Sequence, residues 1–331
     1  MALRTHTIGT QGLSASVEGL GTFGLTAMYG TPDDAEAVAT IHRALDLGVT
    51  MFDTADMYGA GSAERLLGRA LAGRRAEAIV ATKVGGLTLD ADGRIVGPAN
   101  GRPEYVRAAV ERCLDRLGVD HIDLLYLHRV DPDVPVEETF GALGRLVTEG
   151  TVRYLGISEA GPESIRRAHR TAPLSAVQTE YSLFTRDVET NGVLAATREL
   201  ALGFVAYSPL GRGFLSGTIR TLADVPEGDF RRTWPRLTDG NLDRNLALVD
   251  RIRAVAERAG VSAAQLALAW VLGQDMTAIP GTKRRGYLDD NVAAAAIELT
   301  PALRAEIDAA APVGAAVGAR YTPAAMAAIE E

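Results

Sequence analysis

Met51-Phe52-Asp53-Thr54-Ala55-Asp56-Met57-Tyr58-Gly59 decides how the rest of this chain is read. A helix-like run ends at Gly48 just before it, and Val49 to Phe52 is a short apolar piece with the character of a buried strand. The strand then delivers a carboxylate, Asp53, and a phenol, Tyr58, into one loop. The next apolar strand, Ile79-Val80-Ala81-Thr82-Lys83, ends in a lysine, and the one after it, Leu125-Tyr126-Leu127-His128, in a histidine. A free phenol has a pKa of about 10 and needs charged neighbours to exchange a proton near neutrality. Three successive strands ending in acid and phenol, ammonium, and imidazole therefore have the composition of a proton-transfer site.

Working outward, apolar strands and amphipathic helices alternate through most of the chain. The periodicity predicts helices over 32–47, 63–71, 103–117, 136–149, 162–170 and 188–202. The strands end in Asp53, Lys83, His128, Ser158, Gln178-Thr179-Glu180, Ser208 and Gly281, and one more precedes Gly21. Strands alternating with helices imply parallel pairing, and eight such units favour one closed (β/α)8 TIM barrel. Each strand is apolar inside and gains its charged or hydroxylic residue at its C-terminal end, where a barrel of this kind carries its active site. An open doubly wound sheet would need polar ends only near its switch point.

Around this repeat, residues 5–18 alternate about Thr10-Gln11-Gly12 and predict an N-terminal β-hairpin. Gly19-Leu20-Gly21-Thr22-Phe23-Gly24 matches the dinucleotide pattern G-x-G-x-x-G, but that fold needs a helix opening on the glycines. Here the next helix start is Thr31-Pro32, so the glycines are expected instead to let backbone approach a ligand. Residues 85–101 and 211–240 read as long loops and 312–331 as a C-terminal loop and tail. Extra helices are expected at 244–259 and 263–272, before the last strand and unnecessary for barrel closure.

The 331 residues are 47% apolar with a net charge of -8, enough to bury a large core and unsuited to nonspecific nucleic-acid or anionic-membrane binding. No linker-like composition break divides the chain, so residues 1–331 are read as a single domain. No apolar run is long enough to span a membrane, and no basic segment leads into an apolar signal core. The single cysteine, Cys113, shares a helical face with Val106, Ala109, Val110 and Leu117 and reads as core. A cytoplasmic location is expected.

These residues meet a known family. Phe52-Asp53-Thr54-Ala55-Asp56-Met57-Tyr58-Gly59, Ala81-Thr82-Lys83, Leu125-Tyr126-Leu127-His128, Gly156-Ile157-Ser158 and Ile279-Pro280-Gly281 resemble, in order, the motifs of the aldo-keto reductases. Gly19-Leu20-Gly21, Met28-Tyr29-Gly30 and His128-Arg129-Val130-Asp131-Pro132 are similar to the microbial and plant branch containing pyridoxal-reductase-like and perakine-reductase-like enzymes. The resemblance implies an NADPH-dependent reductase of aldehydes or ketones. Tyr58 would be the proton donor, Lys83 would lower its pKa, Asp53 would hold Lys83, and His128 would orient the carbonyl.

The resemblance also implies a cofactor site for NADP(H). Ser158 and Gln178 would bind the carboxamide, and Tyr207 would stack on the nicotinamide. Gly21, Thr22 and Phe23 would lie at the ribose or the pocket. Ser208, Pro209, Leu210, Gly211 and Arg212 would follow the pyrophosphate. Asp290 and Asn291 resemble the pair that contacts adenine. Gly281-Thr282-Lys283-Arg284 offers amides, a hydroxyl and cations at a helix start, a reasonable phosphate site. The family often has Asn after its serine, where this chain has Glu159.

Phe23, Met28, Tyr29, Met57, Leu87 and Trp234 are the candidate pocket for a small-molecule carbonyl substrate, with Tyr321 a further candidate. A second reading is a nicotinamide-binding, redox-sensing regulatory subunit of the same fold, like the potassium-channel β-subunits. A metal-dependent hydrolase using Asp53, His128 and Asp131 is disfavoured, because the five histidines lack H-x-H or H-E-x-x-H spacing and Lys83 would compete for Asp53.

Overall fold

The computed structural model describes residues 3–330. From the N-terminus, β1 (Thr5–Ile8) pairs antiparallel with β2 (Leu13–Ser16), forming the hairpin expected over 5–18. Barrel strands β3 (Leu20–Gly21), β4 (Met51–Asp53) and β5 (Ile79–Val84) follow. A second small hairpin, β6 (Thr88–Leu89) with β7 (Ile95–Gly97), lies inside the segment read as the loop 85–101. Strands β8 (Ile122–Leu127), β9 (Val152–Ser158), β10 (Leu174–Glu180), β11 (Gly203–Tyr207) and β12 (Thr277–Ile279) complete the set.

Eight strands pair in parallel in the order β3-β4-β5-β8-β9-β10-β11-β12. Short bridges join the two ends, with Gly19 N donating to Ala278 O at 2.8 Å and Gly21 N to Pro280 O at 3.2 Å. The fold is thus the TIM barrel that the alternation predicted.

The closure gives the first glycines a structural requirement of their own. A Cβ on Gly21 would sit 2.9 Å from Ile279 O, and one on Gly19 would sit 2.9 Å from Met51 O. Both glycines are needed because the chain here is pressed between β4 and β12. The dinucleotide motif is still excluded, since β3 leads into short 3-10 turns and the first α-helix starts at Asp34.

The helices are α1 (Asp34–Asp46), α2 (Ser62–Leu71), α3 (Pro103–Leu117), α4 (Val136–Thr148), α5 (Pro162–Thr171) and α6 (Val193–Glu199). Then come α7 (Asn241–Ala259), α8 (Ala263–Leu272), α9 (Arg285–Ala293), α10 (Pro301–Ala310) and α11 (Pro323–Met326). Helix α1 starts later than Thr31-Pro32 suggested, because Asp33 is the residue whose side chain accepts Glu36 N, at 3.0 Å. The helix read over 188–202 is broken: Gly192 at φ 89° separates a 3-10 turn from α6. Helix α8 is buried on nearly every side and returns the chain to β12, so it is the barrel's own crossover. Of the pair expected to be dispensable, only α7 is additional to the repeat.

Two apolar layers hold the barrel. The outer one lies between strands and helices and takes in Cys113, as its helical face predicted. The inner one joins Ile8, Leu13 and Ala15 of the hairpin to Met51, Ala81, Leu124, Tyr126, Ala176, Val205 and Ile279. The hairpin reaches the N-terminal strand ends, where Ser16 N donates to Thr50 Oγ1 at 2.8 Å. It plugs that end and leaves the C-terminal mouth for chemistry.

Glu18 sits in the closing seam, fully buried, and among the described residues neither carboxyl oxygen has a hydrogen-bond partner. Burial pushes its pKa up to about 8. A carboxyl raised in the folded state is tolerated while protonated and penalised as pH climbs from its unfolded value to its folded one. Glu18→Gln should therefore gain stability relative to wild type from about pH 4.5 upward, levelling off above about 8, by up to about 1.4 kcal/mol per pH unit. Urea unfolding of both proteins at several pH values checks this; a pH-independent difference would contradict it.

Candidate active site

The pleat of the strands selects the site. In β5, Thr82 faces the helices and donates to Glu64 Oε1 at 2.6 Å, so Ala81 and Lys83 point into the barrel. The same alternation turns Asp53 inward beyond Met51, Gln178 beyond Ala176 and Tyr207 beyond Val205. His128 follows the last residue of β8. All of these lie at the C-terminal ends of the strands.

Lys83 Nζ donates to Asp53 Oδ1 and, at 2.8 Å, to Thr54 O. Gln178 Nε2 donates to Asp53 Oδ2 at 2.8 Å. Both members of the ion pair are buried, Lys83 to 1% exposure and Asp53 to 2%. The Lys83 ammonium lies 5.3 Å from the Tyr58 ring centroid, and the Tyr58 and His128 rings meet edge-on at 6.1 Å. The four residues read from the strand ends are thus brought together.

Burial dominates the electrostatics of the centre. Burial, with Asp53 beside it, pushes the Tyr58 phenol well above its ordinary value, and the charge acting downward is Arg129. Burial lowers the Lys83 pKa against the opposing pull of Asp53. Burial, together with Arg129 and Lys83, lowers His128 well below its usual range, so its imidazole is neutral at physiological pH. Among the described residues His128 Nδ1 has no hydrogen-bond partner. The centre therefore presents a protonated phenol and a neutral imidazole above a committed ion pair.

Comparison with known proteins meets this geometry. The model of the aldo/keto reductase family matches residues 19–312. The chain belongs to the aldo/keto reductase family. It is 45% identical over 318 residues to a probable aldo-keto reductase 1 of Glycine max, covering 95% of this chain and 90% of the relative. The glycerol dehydrogenase structure from Gluconobacter oxydans superposes with a TM-score of 0.84 at 32% identity, over 98% of this chain and 99% of that one. A thermostable aldo-keto reductase solved with the inhibitor epalrestat gives 0.73 at 28% identity, over 93% and 100%. Membership brings the coarser reading with it: an oxidoreductase of carbonyl compounds that works with a nicotinamide cofactor.

As an aldo/keto reductase the chain has further groups around this centre. Ser158 is buried at the end of β9, and Arg129 lies next to it, Nη1 3.4 Å from Ser158 Oγ and 2.6 Å from His128 O. Gln178 has spent its amide nitrogen on Asp53, which leaves its carbonyl oxygen for a ligand. Thr22 Oγ1 is buried without a partner among the described residues. After β11, Ser208, Gly211 and Arg212 take positive φ values of 49°, 53° and 56°, folding the chain from Ser208 to Gly213 into tight turns that include Pro209 and Leu210.

Three expected ligand contacts are engaged elsewhere. The Arg212 guanidinium is buried against Phe230, Trp234 and Tyr321, with Glu180 Oε2 at 3.4 Å. Asp290 accepts from Gln265 Nε2 at 2.7 Å and Ser262 Oγ at 3.2 Å, tying α9 to α8. Trp234 is buried and donates to Arg320 O at 2.9 Å, so it supports the loop rather than lining a pocket.

Residues Gly281 to Arg284 follow β12. Lys283 Nζ crosses to Tyr29 O at 2.8 Å and Thr31 O at 3.0 Å, and Thr282 Oγ1 accepts Arg284 N at 3.2 Å. Asn291 is buried in α9. Asp131 accepts the backbone amides of Gly101 and Asp133, which commits it to its own loop.

At the mouth, Phe23 meets Tyr58 at 5.0 Å, Tyr29 at 5.3 Å and Phe230 at 5.9 Å between ring centroids. Met57 and Leu87 are half-buried and Met28 is exposed. Phe230 was missed by the sequence reading, because nothing in the Arg- and Asp-rich stretch around it marks an inward turn. Arg129, Glu159 and Arg320 were missed as site residues too. A signal existed for the first, which is the residue after His128.

Proposed function

We propose that this aldo/keto reductase is an NADPH-dependent enzyme that reduces aldehydes or ketones to alcohols. The observation that carries the reading is Gln178–Asp53–Lys83, a buried hydrogen-bonded chain beneath Tyr58 and His128 at the barrel mouth. Reduced nicotinamide, when bound, supplies the hydride that the carbonyl carbon receives. Tyr58 donates the proton to the carbonyl oxygen, and its raised pKa keeps the phenol protonated to do so. His128, held neutral, donates its one ring N–H to the carbonyl oxygen and orients it without adding charge. Lys83 fixes the floor of the site, and Arg129 supplies the charge that eases the phenolate left behind.

Ser158 and the free oxygen of Gln178 hold the carboxamide, Tyr207 stacks on the ring, and Gly21, Thr22 and Phe23 border the ribose. Pairing of the first and last strands supports this arrangement, because it brings Gly21 beside Gly281. The aromatic wall of Phe23, Tyr29 and Phe230 favours hydrophobic or aromatic carbonyl compounds. An NADPH-oxidation screen over aldehydes, ketones, quinones and pyridoxal tests the activity; oxidation by none of them would overturn it.

The preference for NADPH over NADH rests on Thr282, Lys283 and Arg284. Among the described residues Lys283 is held only by carbonyl oxygens, and Arg284 has no carboxylate within 4.0 Å. Arg285, by contrast, is paired with Glu36. Two charge-assisted contacts to a 2′-phosphate, at roughly 1.5–3 kcal/mol each, give tenfold or greater discrimination. Fluorescence titration with both cofactors should show that preference in wild type and its loss in Lys283→Ala/Arg284→Ala. Equal affinities in wild type would remove it.

A further inference from the structure

Glu159 stands where the family often has Asn, and it adopts φ 51°, a left-handed conformation rare for a glutamate. What holds it there is its side chain, which is 2% exposed and serves several partners. Its Oε1 accepts from Tyr207 OH at 2.7 Å, from Arg320 Nη1 at 3.0 Å and from Glu180 N at 2.9 Å, while Oε2 accepts from Arg320 Nη2 at 3.0 Å. The Tyr207 hydroxyl lies a further 2.7 Å from Tyr321 OH. One carboxylate at the end of β9 thus joins an aromatic residue at the end of β11 to two consecutive residues of the C-terminal segment.

That segment is not loosely draped. Asn245 Nδ2 donates to Val317 O at 2.9 Å, Trp234 Nε1 to Arg320 O at 2.9 Å, and Glu330 accepts from Gly161 N and Ser164 Oγ at 3.0 Å each. These contacts fix its two flanks. Between them Arg320 and Tyr321 dip into the barrel mouth, where the Arg212 guanidinium lies 4.4 Å from the Tyr321 ring centroid. The contacts on the flanks would secure the segment without Glu159. Of the contacts that Glu159 adds, one goes directly to Tyr207, whose face is proposed to carry the nicotinamide, and two hold Arg320, next to the Tyr321 whose hydroxyl meets that of Tyr207.

We propose that Glu159 is a positioning residue: it fixes the Tyr207 ring by its hydroxyl and uses Arg320 to seat Tyr321 against that hydroxyl, making the C-terminal segment part of the nicotinamide pocket. The inference rests on the nicotinamide reading given above. It also accounts for the departure from Asn. An amide has no charge to hold Arg320 bidentately, and one methylene fewer shortens its reach. A carboxylate has both the acceptor capacity and the charge.

The test separates the nicotinamide end of the cofactor from its adenine end. NADPH and 2′,5′-ADP, which lacks nicotinamide, are titrated against wild type, Glu159→Gln and Tyr321→Phe, with the emission of bound NADPH and thermal unfolding recorded for each. Glu159→Gln should weaken NADPH about tenfold, the loss of one charge-assisted contact, and alter its bound emission, while 2′,5′-ADP binds within about twofold of wild type. Tyr321→Phe keeps the Glu159–Arg320 pair, and so the fold, yet should shift the NADPH emission in the same direction.

A Glu159→Gln protein that melts lower but keeps the wild-type ratio of NADPH to 2′,5′-ADP affinity would show a purely structural tie and overturn the proposal. Should that variant not fold, an unchanged ratio and emission in Tyr321→Phe would overturn it equally. Wild type that binds 2′,5′-ADP and NADPH equally well would remove the nicotinamide contact itself, and the proposal with it.

Discussion

Tyr58→Phe should lower kcat by about a hundred- to ten-thousand-fold while leaving NADPH affinity within a few-fold of wild type. The substitution deletes one hydroxyl and keeps the ring that meets Phe23 at 5.0 Å and His128 at 6.1 Å, so the mouth of the barrel keeps its packing. The phenol is raised by burial and by Asp53, and so stays protonated through the physiological range. No neighbouring group in the site is equally suited to replace it. His128 is pushed towards neutrality, and Lys83 is committed to Asp53 and Thr54 O. Measuring kcat and cofactor affinity on the same preparations separates lost proton transfer from lost binding. A variant with near-normal kcat would remove Tyr58 from the role of donor.

Lys83→Met should damage both activity and stability. Removing one member of a buried ion pair leaves the other charged and unmatched, which costs about 3–5 kcal/mol. Among the described residues Asp53 would then keep only Gln178 as a side-chain partner. Turnover should fall at least about a hundredfold, because the floor beneath Tyr58 and His128 loses its fixed geometry. Lys83→Arg should rescue poorly: a planar guanidinium cannot reproduce one compact ammonium donating to Asp53 and Thr54 together in a site with 1% exposure. Asp53→Asn/Lys83→Met, which removes both charges, should recover stability relative to Lys83→Met without recovering turnover. Denaturant midpoints and kcat across the three variants decide the matter. Lys83→Met within about 1 kcal/mol of wild type, or full turnover in Lys83→Arg, would contradict this account.

The sequence by itself determined the barrel and the four residues at its centre. Alternation of apolar strands with amphipathic helices is a local, periodic signal, and a strand's last residue is fixed at the mouth once the strands are parallel. Asp53, Lys83 and His128 could therefore be assigned to one end of the barrel before any distance was known. Cys113 was legible for the same reason, since one helical face has only one inside.

Tertiary structure decided what depends on partners far apart in the chain. Gly21 is required because β12, more than 250 positions later, presses against it, and no local pattern encodes that approach. Arg212 had the residue type of a phosphate ligand, and only the folded chain shows it packed against Glu180 and three aromatic side chains. The electrostatics of Tyr58 depended on its burial and on how near Asp53 and Arg129 come to it, which only the folded chain settles. Glu159 looked like a lost amide. It became a hub only when the C-terminal segment placed Arg320 and Tyr321 beside it, a contact across 161 positions that periodicity cannot report. A charge or a glycine in the sequence states a capacity, and which partner takes it up is settled by the folded chain.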